Sequence, residues 1–267
     1  MEKIGIIAGN RKFPILLAEA ARKRHYHLVA VAIKHDTSRF LTRHVDKIYW
    51  ISLAEFSRLF QIFKDEGITK VVMAGQISPH RLFSKEINRD KELRDLLANL
   101  KDKRADTIFG AVAEWLMAHG ITLLDSTIFL NECMAAQGVL TKKKPDVRIM
   151  EDIHFGFALA KEIGRLDIGQ TVAVKEKAIV ALEALEGTDN LIRRAGRLSR
   201  GGFTLVKVSK PKQDMRFDIP VVGLQTIKNL VRSNAACLAV EAGKTLFIDK
   251  QESINFANHK GLAIVGV

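Results

Sequence analysis

The sequence predicts an α/β fold, with a Rossmann-like parallel sheet in the N-terminal half and a second α/β domain after it. Three observations carry that expectation. Short, continuous apolar runs such as Lys3–Ala8, 28–33 and Lys70–Ala74 alternate with segments whose apolar residues recur at helical spacing. Strands of that kind belong to a sheet covered on both faces by helices, which parallel strands require. Two of these strands end in the same dipeptide, Ala8-Gly9 and Ala74-Gly75. The length of 267 residues, 47% of them hydrophobic, provides one large core or two of about 130 residues each.

The elements follow in order. Lys3–Ala8 is a strand closed by Gly9, and 13–24 a helix with Ile15, Leu16, Ala18 and Ala20 at helical spacing. After the strand 28–33, residues 52–66 form a helix. Ser52 and Glu55 are its capping box, and Leu53, Phe56, Leu59, Phe60 and Phe63 make one face. Gly67 ends it and Lys70–Ala74 is the next strand. Residues 81–104 are charge-rich and helical, 106–119 is a helix and 121–124 a strand. Residues 131–146 lack periodicity and finish in Thr141-Lys142-Lys143-Lys144-Pro145, a turn-prone stretch. They are expected to link a domain over 1–130 to a catalytic domain over 147–267. In the latter, 147–163 is a helix stopped by Gly164, and 171–174 and 178–183 are strands joined at Lys175-Glu176-Lys177. Residues 188–198 form a helix capped by Thr188, 203–208 a strand, 225–234 a helix, and 245–248 and 262–265 strands.

Composition excludes several classes. The apolar content is too high for a disordered chain, and no apolar run approaches the roughly 20 residues of a membrane-spanning helix. The N-terminus reads as a strand rather than a signal peptide, so a cytoplasmic protein is expected. Cys133 and Cys237 stand apart, outside any CxxC pattern, and suit buried free thiols rather than a disulfide or zinc site. The net charge of +12 suits nucleic acid, an anionic membrane surface or a phosphorylated substrate. Nucleic acid is the weakest of these, because aromatics are 7% and no binding motif or basic arm is present.

Chemistry is expected at three places. The first is the turn Gly9-Asn10-Arg11-Lys12, where a strand end and a helix start expose backbone N–H groups to a phosphate. Met73-Ala74-Gly75-Gln76-Ile77-Ser78 is a second turn of this kind, and the two would mark one crevice at the carboxyl edge of the sheet. No GxGxxG string follows the first strand, so a dinucleotide oxidoreductase, with Asp36 as its acidic residue, is the weaker alternative. The second place is Glu186-Gly187-Thr188-Asp189, where Thr188 and Asp189 start a helix and Glu186 has no local explanation. The third is the loop 207–220, which holds Lys207, Lys210, Lys212 and Arg216 with Asp214 and Asp218. Ile219 precedes Pro220 and is pushed towards extended geometry, which places Asp218 near a strand end. A carboxylate among cations stays charged and suits a magnesium ligand. His25, His27 and His119 are expected to be structural or solvated.

The strings Glu162-Ile163-Gly164-Arg165-Leu166-Asp167-Ile168-Gly169-Gln170, Glu186-Gly187-Thr188-Asp189 and Phe217-Asp218-Ile219-Pro220-Val221-Val222-Gly223 occur in this order after Ile4-Gly5-Ile6-Ile7-Ala8-Gly9. Together they resemble the magnesium-dependent UDP-2,3-diacylglucosamine pyrophosphatases of lipid A biosynthesis, the kind unrelated in fold to the calcineurin-like version. The resemblance implies two domains with the lipid-linked nucleotide in a cleft between them. It also implies water attack on the α-phosphorus, giving UMP and 2,3-diacylglucosamine 1-phosphate. Asp218 matches the essential aspartate, either as the Mg²⁺ ligand or as the group orienting the water. Lys210 and Asp189 are implied beside it as catalytic residues. Gly9, Asn10, Gly75, Gln76, Gln170, Thr188 and Gln213 are implied as substrate contacts, with Lys207 and Arg216 as further cations for the phosphates. The first turn departs from the family's glycine run, so a relative acting on another nucleotide-linked lipid or sugar is the alternative. Peripheral contact with the inner membrane and a homo-oligomer are both compatible with this reading.

Overall fold

The structure, a computed structural model, describes residues 1–77, 81 and 84–267. Ser78 of the second expected turn, and residues 82 and 83 of the segment 81–104, lie outside the described residues. The chain divides into two compact units. The first is Met1–Asn131 with Asp214–Asp218, and the second is Glu132–Gln213 with Ile219–Val267.

In the first unit β1 (Lys3–Ala8), α1 (Phe13–Arg22), β2 (His27–Ile33), β3 (Lys47–Ile51), α2 (Arg58–Asp65), β4 (Lys70–Ala74), α3 (Lys91–Ala98), α4 (Ala105–Ala118) and β5 (Thr122–Leu124) follow one another. All five strands are parallel, in the order β3-β2-β1-β4-β5. The chain builds outward from β1 to one side and then returns to build outward from β4. The gap between the ends of β1 and β4 is therefore the position where ligands bind open α/β sheets. Ile7, Val29, Val31 and Ile33 of the sheet pack with Leu59, Phe63 and Leu116 of the covering helices.

Two details depart from expectation. β3 is not legible in the sequence because Lys47-Ile48-Tyr49-Trp50-Ile51 is only partly buried at an edge, with Tyr49 donating to Glu66. The helix expected over 52–66 begins as a 3-10 turn, Leu53–Glu55, in which the Ser52 N–H still donates to Glu55 Oε1 (3.3 Å).

The second unit runs β6 (Gly138–Val139), α5 (Val147–Arg165), β7 (Thr171–Lys175), β8 (Ala178–Leu182), α6 (Thr188–Ser199), β9 (Thr204–Lys207), β10 (Val221–Val222), α7 (Leu224–Arg232), β11 (Cys237–Val240), β12 (Leu246–Phe247), α8 (Lys250–Lys260) and β13 (Ala263–Gly266). Its main sheet has the order β6-β13-β11-β9-β7-β8, parallel across β13, β11 and β9 and antiparallel beyond them. Alternation sorts its side chains by face. Leu205, Leu238 and Ile264 meet Leu191, Ile192 and Ile227 of α6 and α7, whereas Val206, Ala239 and Val265 meet Ile153 of α5.

Four expectations are corrected here. Residues 132–146 are not a free linker, because β6 pairs antiparallel with β13. Gly164 does not stop α5, which continues to Arg165. A Cβ at Gly164 would lie 3.4 Å from Lys210 Cα, so the glycine admits a close chain passage. Thr188 does not cap α6; the cap is Gly187, whose φ of +79° and ψ of 164° only glycine adopts readily. Residues 214–218 belong with the first unit, not with the residues that flank them.

Candidate active site

The first unit gathers its predicted residues at the carboxyl edge of the sheet. Gly9 N–H donates to Ala74 O and Asn10 N–H to Gln76 O, both at 2.8 Å, and the Gln76 N–H reaches Asn10 Oδ1 at 3.4 Å. A Cβ on Gly9 would stand 2.7 Å from Gln76 O. Gly75, at φ +84°, would place one 2.5 Å from Asn10 O. The two Ala-Gly ends therefore interlock as backbone.

Residues 214–218 dock on this same edge. Ser126, just after β5, donates its N–H to Met215 O (2.9 Å), and its Oγ lies 2.7 Å from the carbonyl oxygens of Met73 in β4 and of Arg216. Phe217 enters the core of the unit, its ring centroid 5.5 Å from that of Phe109. Arg216 grips Asp214 through Nε and Nη2 (3.0 and 2.6 Å), which holds the Asp214 carboxyl below its ordinary range and the guanidinium above its own. Its guanidinium is thus already committed to a carboxylate, which weakens its expected role at phosphate. Asp218 ends the segment at φ +50°, a left-handed backbone. Non-glycine residues held there cluster at functional sites, because surrounding structure must hold the strain.

In the second unit Lys207, at the end of β9 and 3% exposed, lies beside the N-terminus of α6. Its Nζ donates to Thr188 Oγ1 (3.0 Å) and Thr171 Oγ1 (3.2 Å) and stands 3.7 Å from Glu183 Oε2. Thr188 donates in turn to Glu183 Oε1 at 2.6 Å. Lys210 forms a separate buried pair with Asp167 (2.6 Å), and its N–H reaches Gln213 Oε1 (3.3 Å). Asp189 accepts from Asn229 Nδ2 on α7 (2.9 Å). Gln170 Oε1 is buried and has no hydrogen-bond partner among the described residues. The start of α6, where first-turn N–H groups and the helix dipole favour negative charge, thus faces the buried Lys207 and Glu183 pair.

Glu241 braces the loop that carries Lys210. Its Oε2 accepts from Lys161 Nζ (2.6 Å) and from the N–H (2.7 Å) and Oγ (2.8 Å) of Ser209. Burial raises the Glu241 carboxyl, but the Lys161 and Ser209 hydrogen bonds outweigh it and leave it below its ordinary value of 4.5. A depressed carboxyl contributes stability that is present above its unfolded value and lost as pH falls through the folded one. Stability measured by urea unfolding is therefore expected to fall more steeply below about pH 4.5 in the wild type than in Glu241→Gln.

Glu183, Asp167, Ser126 and Glu241 do not stand out in the sequence. Glu183 carries a usable signal, as a carboxylate at a strand end facing a helix start. Glu186, which has no local explanation in the sequence, is structural: it accepts from the Ala184 N–H (3.1 Å) and pairs with Arg194 (2.6 Å). Among the described residues no three His, Cys, Asp or Glu side chains group as a metal cage. Magnesium needs no such cage, since it takes one or two carboxylates and fills its shell with waters and substrate phosphates.

Comparison with known proteins covers nearly the whole chain. The LpxI N-terminal domain family matches residues 3–133, and the LpxI C-terminal domain family matches residues 136–265. The UDP-2,3-diacylglucosamine pyrophosphatase LpxI of Caulobacter vibrioides is 30% identical over 277 residues, across 100% of this chain and 98% of the relative. Among solved structures, N5-carboxyaminoimidazole ribonucleotide synthetase from Thermotoga maritima overlaps 71% of this chain and 43% of its own, with 14% identity and a TM-score of 0.26. Phosphoribosylglycinamide synthetase from Anaerococcus prevotii overlaps 67% and 38%, with 14% identity and a TM-score of 0.24. Likenesses that distant carry no argument about fold or function.

Proposed function

The chain belongs to the LpxI family, and from that premise we propose that Asp218 and the lysines of the loop 207–220 carry out its reaction. The chain is a UDP-2,3-diacylglucosamine pyrophosphatase of lipid A biosynthesis, a hydrolase of the diphosphate bond. Water attacks the α-phosphorus, which joins to the new oxygen, and the β-phosphate leaves with the sugar. The products are UMP and 2,3-diacylglucosamine 1-phosphate. The observation that supports the residue assignment is the left-handed backbone at Asp218, in a segment that Ser126 and Phe217 fasten to the first unit.

Hydrolysis of a diphosphate needs charge neutralisation and alignment more than covalent help. Lys207 and the first-turn N–H groups of α6, that of Thr188 included, hold phosphate oxygens, with Lys210 as a second cation. The interlocked backbone of Gly9 and Gly75 shapes the place for the polar head, to which Asn10 and Gln76 offer side-chain amides. Asp218 either holds Mg²⁺ or orients the water. The ion, when bound, would neutralise charge on the diphosphate. A protein with net charge +12 and no described helix able to cross a membrane suits peripheral contact with the anionic cytoplasmic leaflet, where a diacylated substrate resides.

UMP release from UDP-2,3-diacylglucosamine is expected with Mg²⁺ and to disappear with EDTA. An Asp218 that holds the ion makes Asp218→Asn require more Mg²⁺, whereas an orienting Asp218 leaves the requirement unchanged. Release unaffected by EDTA would remove magnesium from the reaction.

A further inference from the structure

Phe40 is 61% exposed, the most exposed aromatic ring among the described residues. It sits in a 3-10 turn, Arg39–Arg43, that follows β2. Side chains three apart eclipse on such a turn, so Phe40 and Arg43 share one face, whereas Leu41 turns inward and is fully buried. The Arg43 guanidinium lies 5.5 Å from the Phe40 ring centroid. Arg22 Nη1 donates to Arg43 O (3.3 Å), which brings the end of α1, with Arg22 and Lys23, alongside. Arg39 is exposed next to Phe40 in the same turn.

The carboxylates of this stretch are engaged elsewhere. Asp36 is paired with Arg81 (2.7 Å), Asp46 accepts from the Leu28 N–H (2.7 Å), and Glu19 of α1 pairs with His44 (3.3 Å). Among the described residues, none of Arg22, Lys23, Arg39 and Arg43 is in an ion pair. Four like charges gathered around one exposed ring repel one another and attract an anionic surface. Leu185, by contrast, is as exposed as Phe40 but lies between Glu183 and Glu186 in the chain. Cations around an aromatic ring suit an anionic bilayer, where the cations meet lipid phosphates and the ring enters the interfacial layer. A nucleic acid would also take the cations, but a lone ring is no platform for successive bases. The substrate carries two acyl chains, so the enzyme must reach a lipid that lies in a bilayer.

We infer that Phe40, with Arg39, Arg43 and the cationic end of α1, docks the enzyme on an anionic lipid bilayer. This rests on the peripheral contact proposed above and names the surface that makes it. Cosedimentation would be measured with vesicles of phosphatidylglycerol and phosphatidylethanolamine, and with vesicles of phosphatidylcholine alone. The wild type is expected to bind the anionic vesicles and to be released by salt, which screens exposed charges. Arg39→Gln together with Arg43→Gln should weaken binding about thirtyfold, since each cation near the surface is worth about a factor of five. Phe40→Ser should weaken it about fivefold, and Phe40→Trp should bind at least as well as the wild type.

Phe40→Trp also reports insertion directly, because its added emission should be quenched by lipids brominated on the acyl chain. UMP release from substrate dispersed in detergent should be the same in every variant, as none of these residues is placed in the candidate site. Anionic vesicles bound equally by the wild type, the arginine variant and Phe40→Ser would overturn this surface and leave peripheral contact standing. A wild type that releases UMP and binds neither vesicle would overturn both. RNA bound by the wild type and lost in the arginine variant, without vesicle binding, would overturn the lipid assignment in favour of a nucleic acid.

Discussion

Asp218→Gly is expected to lower the rate of UMP release about a thousandfold or more while leaving stability within about 1 kcal/mol of wild type. The two effects have different origins. Asp218 sits at φ +50°, where glycine is at ease and most other residues are not. Its removal relieves backbone strain, and that relief offsets the interactions that leave with the carboxylate. The reaction loses the carboxylate at the same stroke. Asp218→Asn isolates the charge, since asparagine also tolerates the left-handed region. Its activity should be as low as that of the glycine variant. A glycine variant that unfolds well below the wild type, or that retains most of its activity, would show that the strained backbone serves the fold rather than the chemistry.

The second large effect is expected at Lys207. Lys207→Met removes the cation nearest to Glu183, and both residues are more than nine-tenths buried. Breaking a buried pair by deleting one partner costs about 3 kcal/mol, because the remaining charge stays desolvated. Without the cation at the phosphate, kcat/KM should fall about a hundredfold. Adding Glu183→Gln removes the stranded charge, so the double variant should regain most of the stability in urea unfolding and none of the activity. Recovery of activity in the double variant would place Lys207 in the framework alone.

Local pattern makes much of the fold legible. Lys3–Ala8 and Lys70–Ala74 are readable as strands because continuous apolar runs are what a doubly covered parallel sheet requires. Their shared Ala-Gly ends meet in the structure. α8 is not readable, since Lys250–Lys260 offers few apolar residues and buries Ser253 and Ala257 through tertiary packing. Cys237–Val240 is a four-residue strand with no alternation to distinguish it.

The candidate site is legible as residue types but not as places. Thr188 reads as a helix cap, whereas its hydroxyl is spent on Glu183 and the cap is Gly187. Nothing in local spacing says which unit a loop packs against, and residues 214–218 cross to the first unit on the strength of Phe217, an aromatic ring in an otherwise charged stretch. Glu183 escapes notice because carboxylates near strand ends are common. Only the burial of Oε2 without a partner among the described residues sets it apart.

A single turnover of UDP-2,3-diacylglucosamine in H₂¹⁸O tests the central claim most directly. If water attacks the α-phosphorus in a reaction that depends on Asp218, mass spectrometry finds one ¹⁸O in the UMP and none in the 2,3-diacylglucosamine 1-phosphate, and Asp218→Asn leaves the substrate intact over the same interval. Label in the sugar phosphate, or labelled UMP formed as fast by the variant as by the wild type, would contradict it.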